Sequence, residues 1–257
     1  MRNDMTKEGI CHLCGLHKKL SFEHIPPKSA FNDQMVVFQT MQNMLEGRKK
    51  TKFHRGMGKD TLCEDCNKLT GAWYGKAFVD WSRQGFTWFD RVQNTEIPYL
   101  TFHIKPLNVL KQVFIMSMAM IADESLSYHK ELVAFLLDRH STTLPTKYRA
   151  YVYFSAAGSP RFATGMAIMR TDINSIDYVD AEVSRPPFGY CVTSSTKREK
   201  KSLAESQGLC NITGFANYDF NEKTTIHLHI PFRETHEPLP LDYRSAEEVK
   251  KHQERTK

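Results

Sequence analysis

Between Cys63 and Gly85 the stretch CEDCNKLTGAWYGKAFVDWSRQG sets Leu69, Trp73, Ala77, Phe78 and Trp81 at the one-sided spacing of an amphipathic helix. Gly85 is expected to end that helix near its C-terminus. The chain before Cys63 is polar and loop-rich, with no such period. Further on, YLTFHI alternates like a strand and stops at Pro106, a residue suited to the first turn of a following helix. The segment LNVLKQVFIMSMAMIADE is apolar almost all round, which predicts a buried helix with methionines as packing filler. SYHKELVAFLLDRH reads as a second, amphipathic helix that closes before STTLP. From Tyr148 the texture changes. YRAYVYFSAA, RFATGMAIMRT, YCVTSS, CNITGFANYDF and TTIHLHIPF are short, rich in β-branched and aromatic residues, and punctuated by Gly, Asn or Ser, as strands are. The polar end, SAEEVKKHQERTK, reads as a surface helix or frayed tail. The pattern predicts an α+β chain: an N-terminal module over 1–95, then a domain over 96–257 that is first helical and then mainly antiparallel β.

Composition narrows the class. A chain of 257 residues with 40% hydrophobic and 25% charged positions can bury a core of ordinary globular kind. Its longest apolar run, VFIMSMAMIA, is too short to cross a bilayer, and MRNDMTKEGI has no apolar signal core, so a cytoplasmic protein without a membrane partner is expected. The net charge of +6 is compatible with an anionic partner but does not specify one. Its distribution says more, because EGRKKTKFHRGMGKD gathers Arg48, Lys49, Lys50, Lys52 and Arg55 into one stretch. Such a run is either a phosphate-facing loop or a solvated insertion. TKREKK, around Arg198, is a weaker cluster of the same kind.

The cysteines are distributed unevenly. Cys11 with Cys14 and Cys63 with Cys66 form two C-x-x-C pairs, whereas Cys191 and Cys210 stand alone and read as inert core thiols. Two such pairs in an unsecreted chain point to metal rather than to disulfides. CHLCG has the form of a zinc knuckle, in which Gly15 allows the backbone to turn with positive φ. CEDCN opens the predicted helix, whose first turn brings both thiolates to one ion and whose N-terminus favours their charge. The four cysteines therefore predict a closed tetrahedral site for structural Zn²⁺, and knuckle, intervening hairpin and helix make a treble-clef arrangement.

Sulfur alone would complete that site, yet oxygen and nitrogen donors accompany it. Glu23-His24 lies in SFEHIPPKSAF, and Asn67 follows the last cysteine. The assembly C-x-x-C, E-H-I-P-P, C-x-x-C-N resembles the zinc-stabilised branch of the HNH endonuclease family over about residues 10–75. The resemblance implies a ββα-metal unit in which His24 is the general base. In it Glu23 and Asn67 hold one catalytic Mg²⁺ or Mn²⁺, and the substrate is DNA, with RNA open to the same chemistry. A neutral imidazole suits proton abstraction from water, and a hard cation suits one carboxylate plus one amide oxygen. On an extended strand Glu23 and His24 point to opposite faces, so a twist, bulge or strand end is expected to bring both to the metal. The family's middle Asn has no counterpart in MGKDTLCEDC; Asn43 and His54 lie in the long insertion instead. In a nuclease that insertion would put its five basic residues on flanking phosphates. By analogy such enzymes belong to mobile elements or phage defence, with the C-terminal part serving binding, oligomerisation or a regulatory partner. The alternative is a non-catalytic zinc module that binds nucleic acid or protein.

Overall fold

A computed structural model of the chain describes residues 7–38, 51–94, 99–156, 160–170, 175–195, 203–237 and 239–255. Strands β1 (Glu8–Ile10), β2 (His17–His24), β3 (Val36–Phe38), β4 (Thr51–Phe53) and β5 (Gly58–Cys63) come first. β1, β2 and β5 form an antiparallel sheet in that order, while β3 and β4 pair separately as a hairpin. Helix α1 (Glu64–Thr70) starts directly after Cys63, passes through a π-helical turn (Gly71–Gly75) and continues as α2 (Lys76–Asn94).

Two sequence expectations change here. Gly85 does not end the helix; it lies inside α2, where a Cβ would sit 2.2 Å from the Phe188 ring. Glycine is the residue that lets the helix approach that ring, at the propensity cost such a site carries. Leu69 is 40% exposed rather than part of the buried stripe. The π turn adds a residue between Leu69 and the rest of the face. Tyr74 becomes the buried side chain there, and its hydroxyl donates to the Leu136 carbonyl at 2.8 Å.

β6 (Leu100–Ile104) leads into α3 (Pro106–Met120), with Pro106 in the first turn as expected. All of α3 is buried, even Lys111. Its ammonium donates to the Asp138 carbonyl at 2.6 Å and lies 4.3 Å from the Phe135 ring centroid; burial lowers its pKa to about 8. A 3₁₀ segment (Asp123–His129) and α4 (Lys130–Leu137) follow, then β7 (Tyr148–Ser155), β8 (Arg161–Arg170), β9 (Ser175–Arg185) and β10 (Phe188–Ser195). The remaining elements are α5 (Leu203–Ser206), β11 (Cys210–Asn211), β12 (Thr224–Leu228), β13 (Phe232–Arg233) and α6 (Ala246–Arg255).

The large sheet has the order β11-β7-β10-β9-β8, antiparallel except that β13 joins β7 in parallel, and β12 pairs with β6. The fold is thus mixed α+β with antiparallel sheets. β9 was not among the expected strands. CNITGFANYDF, expected as a strand, pairs only through Cys210–Asn211 and then turns into a 3₁₀ segment. The Asn211 side chain accepts the Thr213 backbone N–H at 2.9 Å, a local bond that competes with the ladder.

One cluster of buried side chains runs from Cys11 and Leu13 through Phe78 and Trp81 to Phe188 and Val192, so residues from both sides of position 95 share it. Trp81 stacks on Phe188 at 4.7 Å, and its indole N–H donates to the Tyr190 hydroxyl at 2.8 Å. A smaller cluster lies around Tyr153, Cys191 and Leu241. Beside it, the fully buried Glu182 accepts from Arg161 Nη1 (3.0 Å), Tyr153 (2.7 Å), Tyr243 (2.8 Å) and the Leu241 N–H (2.7 Å). No helix among the described residues is long and apolar enough to cross a membrane.

Candidate functional site

The first C-x-x-C pair sits in a tight turn between β1 and β2, closed by the Gly15 N–H donating to the Cys11 carbonyl at 2.8 Å. Gly15 has φ +69°, the left-handed conformation expected of it. The second pair spans the end of β5 and the first turn of α1. The four Sγ atoms all lie within 4.8 Å of one another, and Cys14 Sγ is 3.9 Å from Cys63 Sγ. A tetrahedron with Zn–S bonds of ~2.3 Å has edges of roughly 3.8 Å, so the spacing fits. The Cys63 N–H also donates to Cys11 Sγ at 3.2 Å, a bond that favours thiolate there. These four cysteines can hold a metal ion such as zinc.

The four-cysteine module rests on the end of α3. His12, between the first two cysteines, has Nδ1 2.8 Å from the Met118 carbonyl and Nε2 2.9 Å from Asp123 Oδ1. Thr61 Oγ1 donates to the Ala119 carbonyl at 2.9 Å and Lys59 Nζ to the Met120 carbonyl at 2.7 Å.

The register between β2 and β5 slips at Ser21/Phe22, where Thr61 has no residue opposite it. Beyond the slip the side chains alternate. Ser21 and Glu23 face α1, where Asn67 Nδ2 donates to Ser21 Oγ at 3.1 Å and the Asn67 side chain lies beside Glu23, favouring its ionised form. Glu23 is 8% exposed, and burial raises its pKa to about 7, with Asn67 opposing. No described cationic side chain is among the groups that shift it.

His24, the last residue of β2, turns to the other face with Phe22, whose ring meets the imidazole edge-on at 4.9 Å. Its Nε2 is 3.0 Å from the Arg55 carbonyl. A carbonyl only accepts, so Nε2 carries a proton. Glu23 and Asn67 are thus brought together, while His24 is directed to the opposite side of the strand.

The loop after His24 is held by a residue that the sequence pattern did not single out. Asn32 is fully buried; its Nδ2 donates to the carbonyls of Pro26 (2.6 Å) and Met57 (2.8 Å), and its Oδ1 accepts the Met57 N–H (2.8 Å). Gly56, with φ +87°, makes room: a Cβ there would lie 1.8 Å from the Asn32 carbonyl oxygen. The neighbouring Phe31 stacks on Phe86 of α2 at 4.8 Å, and its carbonyl accepts from Arg185 Nε of β9 at 2.8 Å. Only the general preference of Asn for turns marked Asn32 in advance.

Of the basic insertion, Lys52 and Arg55 are exposed and line a cleft of about 790 Å³ with Phe22, His24, Lys28, Phe53 and His54. Arg48, Lys49, Lys50 and Asn43 lie outside the described residues. Cys191 is fully buried and Cys210 half-buried; burial raises both thiol pKa values, that of Cys210 to about 12, in keeping with inert thiols. Comparison with protein-family models, with curated proteins and with solved structures finds no match.

Proposed function

We propose that the protein is a metal-dependent endonuclease that hydrolyses phosphodiester bonds in DNA, with β2, β5 and α1 as a zinc-stabilised treble-clef unit of the HNH type. The observation that carries this reading is the pairing of Glu23 with Asn67 beside the four-cysteine cluster. A buried carboxylate whose described partner is a neutral amide has charge left uncompensated, and a hydrated divalent cation offsets it. Glu23 and the Asn67 side-chain oxygen would hold Mg²⁺ or Mn²⁺, which supplies Lewis-acid charge for the phosphate and the leaving oxygen. Asn67 follows a zinc ligand directly, so the structural metal fixes the helix turn that presents it.

His24 acts as the base. This requires the imidazole, held at Nε2 by the Arg55 carbonyl on the face of β2 opposite Glu23 and Asn67, to be carried to the cation's side, where it would take a proton from water as the water oxygen bonds to phosphorus and the bond to the leaving oxygen breaks. Asn32 supplies the buttress that the resembled family takes from its middle Asn, reaching the same loop from a different place in the chain. Lys52 and Arg55 grip flanking phosphates. Through Arg185, the C-terminal sheet braces the loop from behind.

The opposite facing of His24 and Glu23 favours a second reading, a zinc module that binds nucleic acid without cutting it. Plasmid nicking separates the two. The native protein is expected to cut with Mg²⁺ or Mn²⁺, and His24→Ala to cut at least ~100-fold more slowly. Glu23→Gln is expected to need far more metal. Binding of the plasmid by native protein, with no cutting under either metal, would establish the second reading.

A further inference from the structure

The cleft at His24 has a composition that phosphate binding alone does not require. Its volume of about 790 Å³ lies in the range of ligand pockets. Lys28, Lys52 and Arg55 supply three cations, and no carboxylate is among the described lining residues. The same lining includes two phenyl rings, Phe22 and Phe53. Phe22 is fixed edge-on against the imidazole, at 4.9 Å and 89°. Phe53 ends β4, the strand that faces β3 in the inserted hairpin, and is half-buried.

A duplex backbone is a convex, fully polar ridge, which cations on an open surface satisfy without any apolar wall. A concave site that combines rings with cations instead matches a nucleotide whose flat base is uncovered and whose phosphate lies beside it. In a duplex each base is stacked on its neighbours, so it enters such a site only if it is unpaired or extruded.

We infer that this cleft receives one unpaired nucleotide, its base against Phe53 and its phosphate among Lys28, Lys52 and Arg55, so that the preferred substrate is single-stranded or locally unpaired nucleic acid. This inference rests on the nuclease reading for what happens next, but the preference itself is a matter of binding. Base–ring stacking is sequence-tolerant, so the cleft selects strand state without selecting a sequence.

The test uses the intact zinc-loaded protein without added Mg²⁺ or Mn²⁺, so that nothing is cut. Fluorescence anisotropy compares labelled oligothymidylate, oligouridylate and a blunt DNA duplex of equal length. At least one single strand is expected to bind about tenfold tighter than the duplex, and the two single strands distinguish a deoxyribose from a ribose source. Phe53→Ala is expected to weaken single-strand binding about tenfold and duplex binding less than twofold. Lys52→Ala should weaken both and flatten the salt dependence. Phe53→Trp keeps a stacking surface; it should retain the preference and show fluorescence quenching as oligothymidylate is added. Duplex bound as tightly as either single strand, or a Phe53→Trp protein whose fluorescence ignores the oligomer, would overturn the inference and leave the nuclease reading standing. Strand preference without metal-dependent cutting would do the reverse.

Discussion

Asn32 shows how much one amide can hold. Two carbonyls and one N–H, from Pro26 and Met57, find their partner in its side chain, in a place fully closed to solvent. An unsatisfied buried group costs about 1–3 kcal/mol, so Asn32→Ala is expected to lower stability by roughly 3 kcal/mol or more, read as a shifted urea midpoint. Asn32→Asp should rescue little, since a carboxylate cannot donate to two carbonyls. Loss of the clamp should also loosen the turn that offers the Arg55 carbonyl to His24, so cleavage should fall together with stability. A change below about 1 kcal/mol in Asn32→Ala would mean that water replaces the amide and the clamp is dispensable. At this scale the sequence was legible where chemistry is local. The two cysteine pairs follow from spacing that a knuckle and a helix start impose, whereas strand alternation turns His24 to the face opposite Glu23 and Asn67, away from the shared pocket that the resemblance implies. Asn32 was not legible, because its partners lie 6 and 25 residues away and no residue pattern announces them.

Among the elements, α3 carries the clearest non-local debt. A helix leaves its last carbonyls without intrahelical donors, and α3 ends deep in the core. Three successive carbonyls, those of Met118, Ala119 and Met120, are met by His12, Thr61 and Lys59, all from the cysteine module. Thr61→Val keeps the shape and removes the donor. It is expected to cost about 1–2 kcal/mol and to speed amide exchange in the last turn of α3, as followed by hydrogen–deuterium exchange; unchanged exchange there would show that the cap is not needed. The register slip between β2 and β5 falls at this same Thr61, which is how its hydroxyl comes to face α3 while its neighbours keep the ladder. Periodicity predicted α3 and its Pro106 start well, because burial on every side leaves a plain apolar record. It misplaced the end of the preceding helix because Gly85 answers to Phe188, a residue 103 positions away (188 − 85), and not to its own helix. It passed over β9 for a related reason: Asp180 and Glu182 interrupt the apolar run, and only the folded sheet provides Ser194 and Arg161 as their partners.

At the scale of the whole molecule, the metal site and the large sheet draw on one core. Cys11, Cys63 and Cys66 belong to the same buried cluster as Trp81, Phe188 and Val192, and the module that the cysteines close also caps α3, which packs against β7, β9 and β10. Sequence spacing named the four clustered cysteines, but it contained nothing about this sharing, since strand order in a six-stranded sheet is set by contacts between distant segments. The sharing has a thermodynamic consequence. Without an ion, four sulfurs within 4.8 Å of one another must protonate or separate, and either change loosens the end of β5 and the start of α1. If the core were two independent units, chelation would melt the first and leave the second untouched. With one core, the loss should spread: a chelator under reducing conditions is expected to lower the thermal midpoint by about 10 °C or more while unfolding stays a single transition. Elemental analysis should find one tightly held zinc per chain before chelation. Amides of β7 and β10 should then lose protection together with those of β5, although no cysteine ligand lies on either strand of the pair β7–β10. Two separated transitions, with β7 and β10 still protected after the metal is gone, would refute the shared core and make the cysteine module a unit that folds by itself.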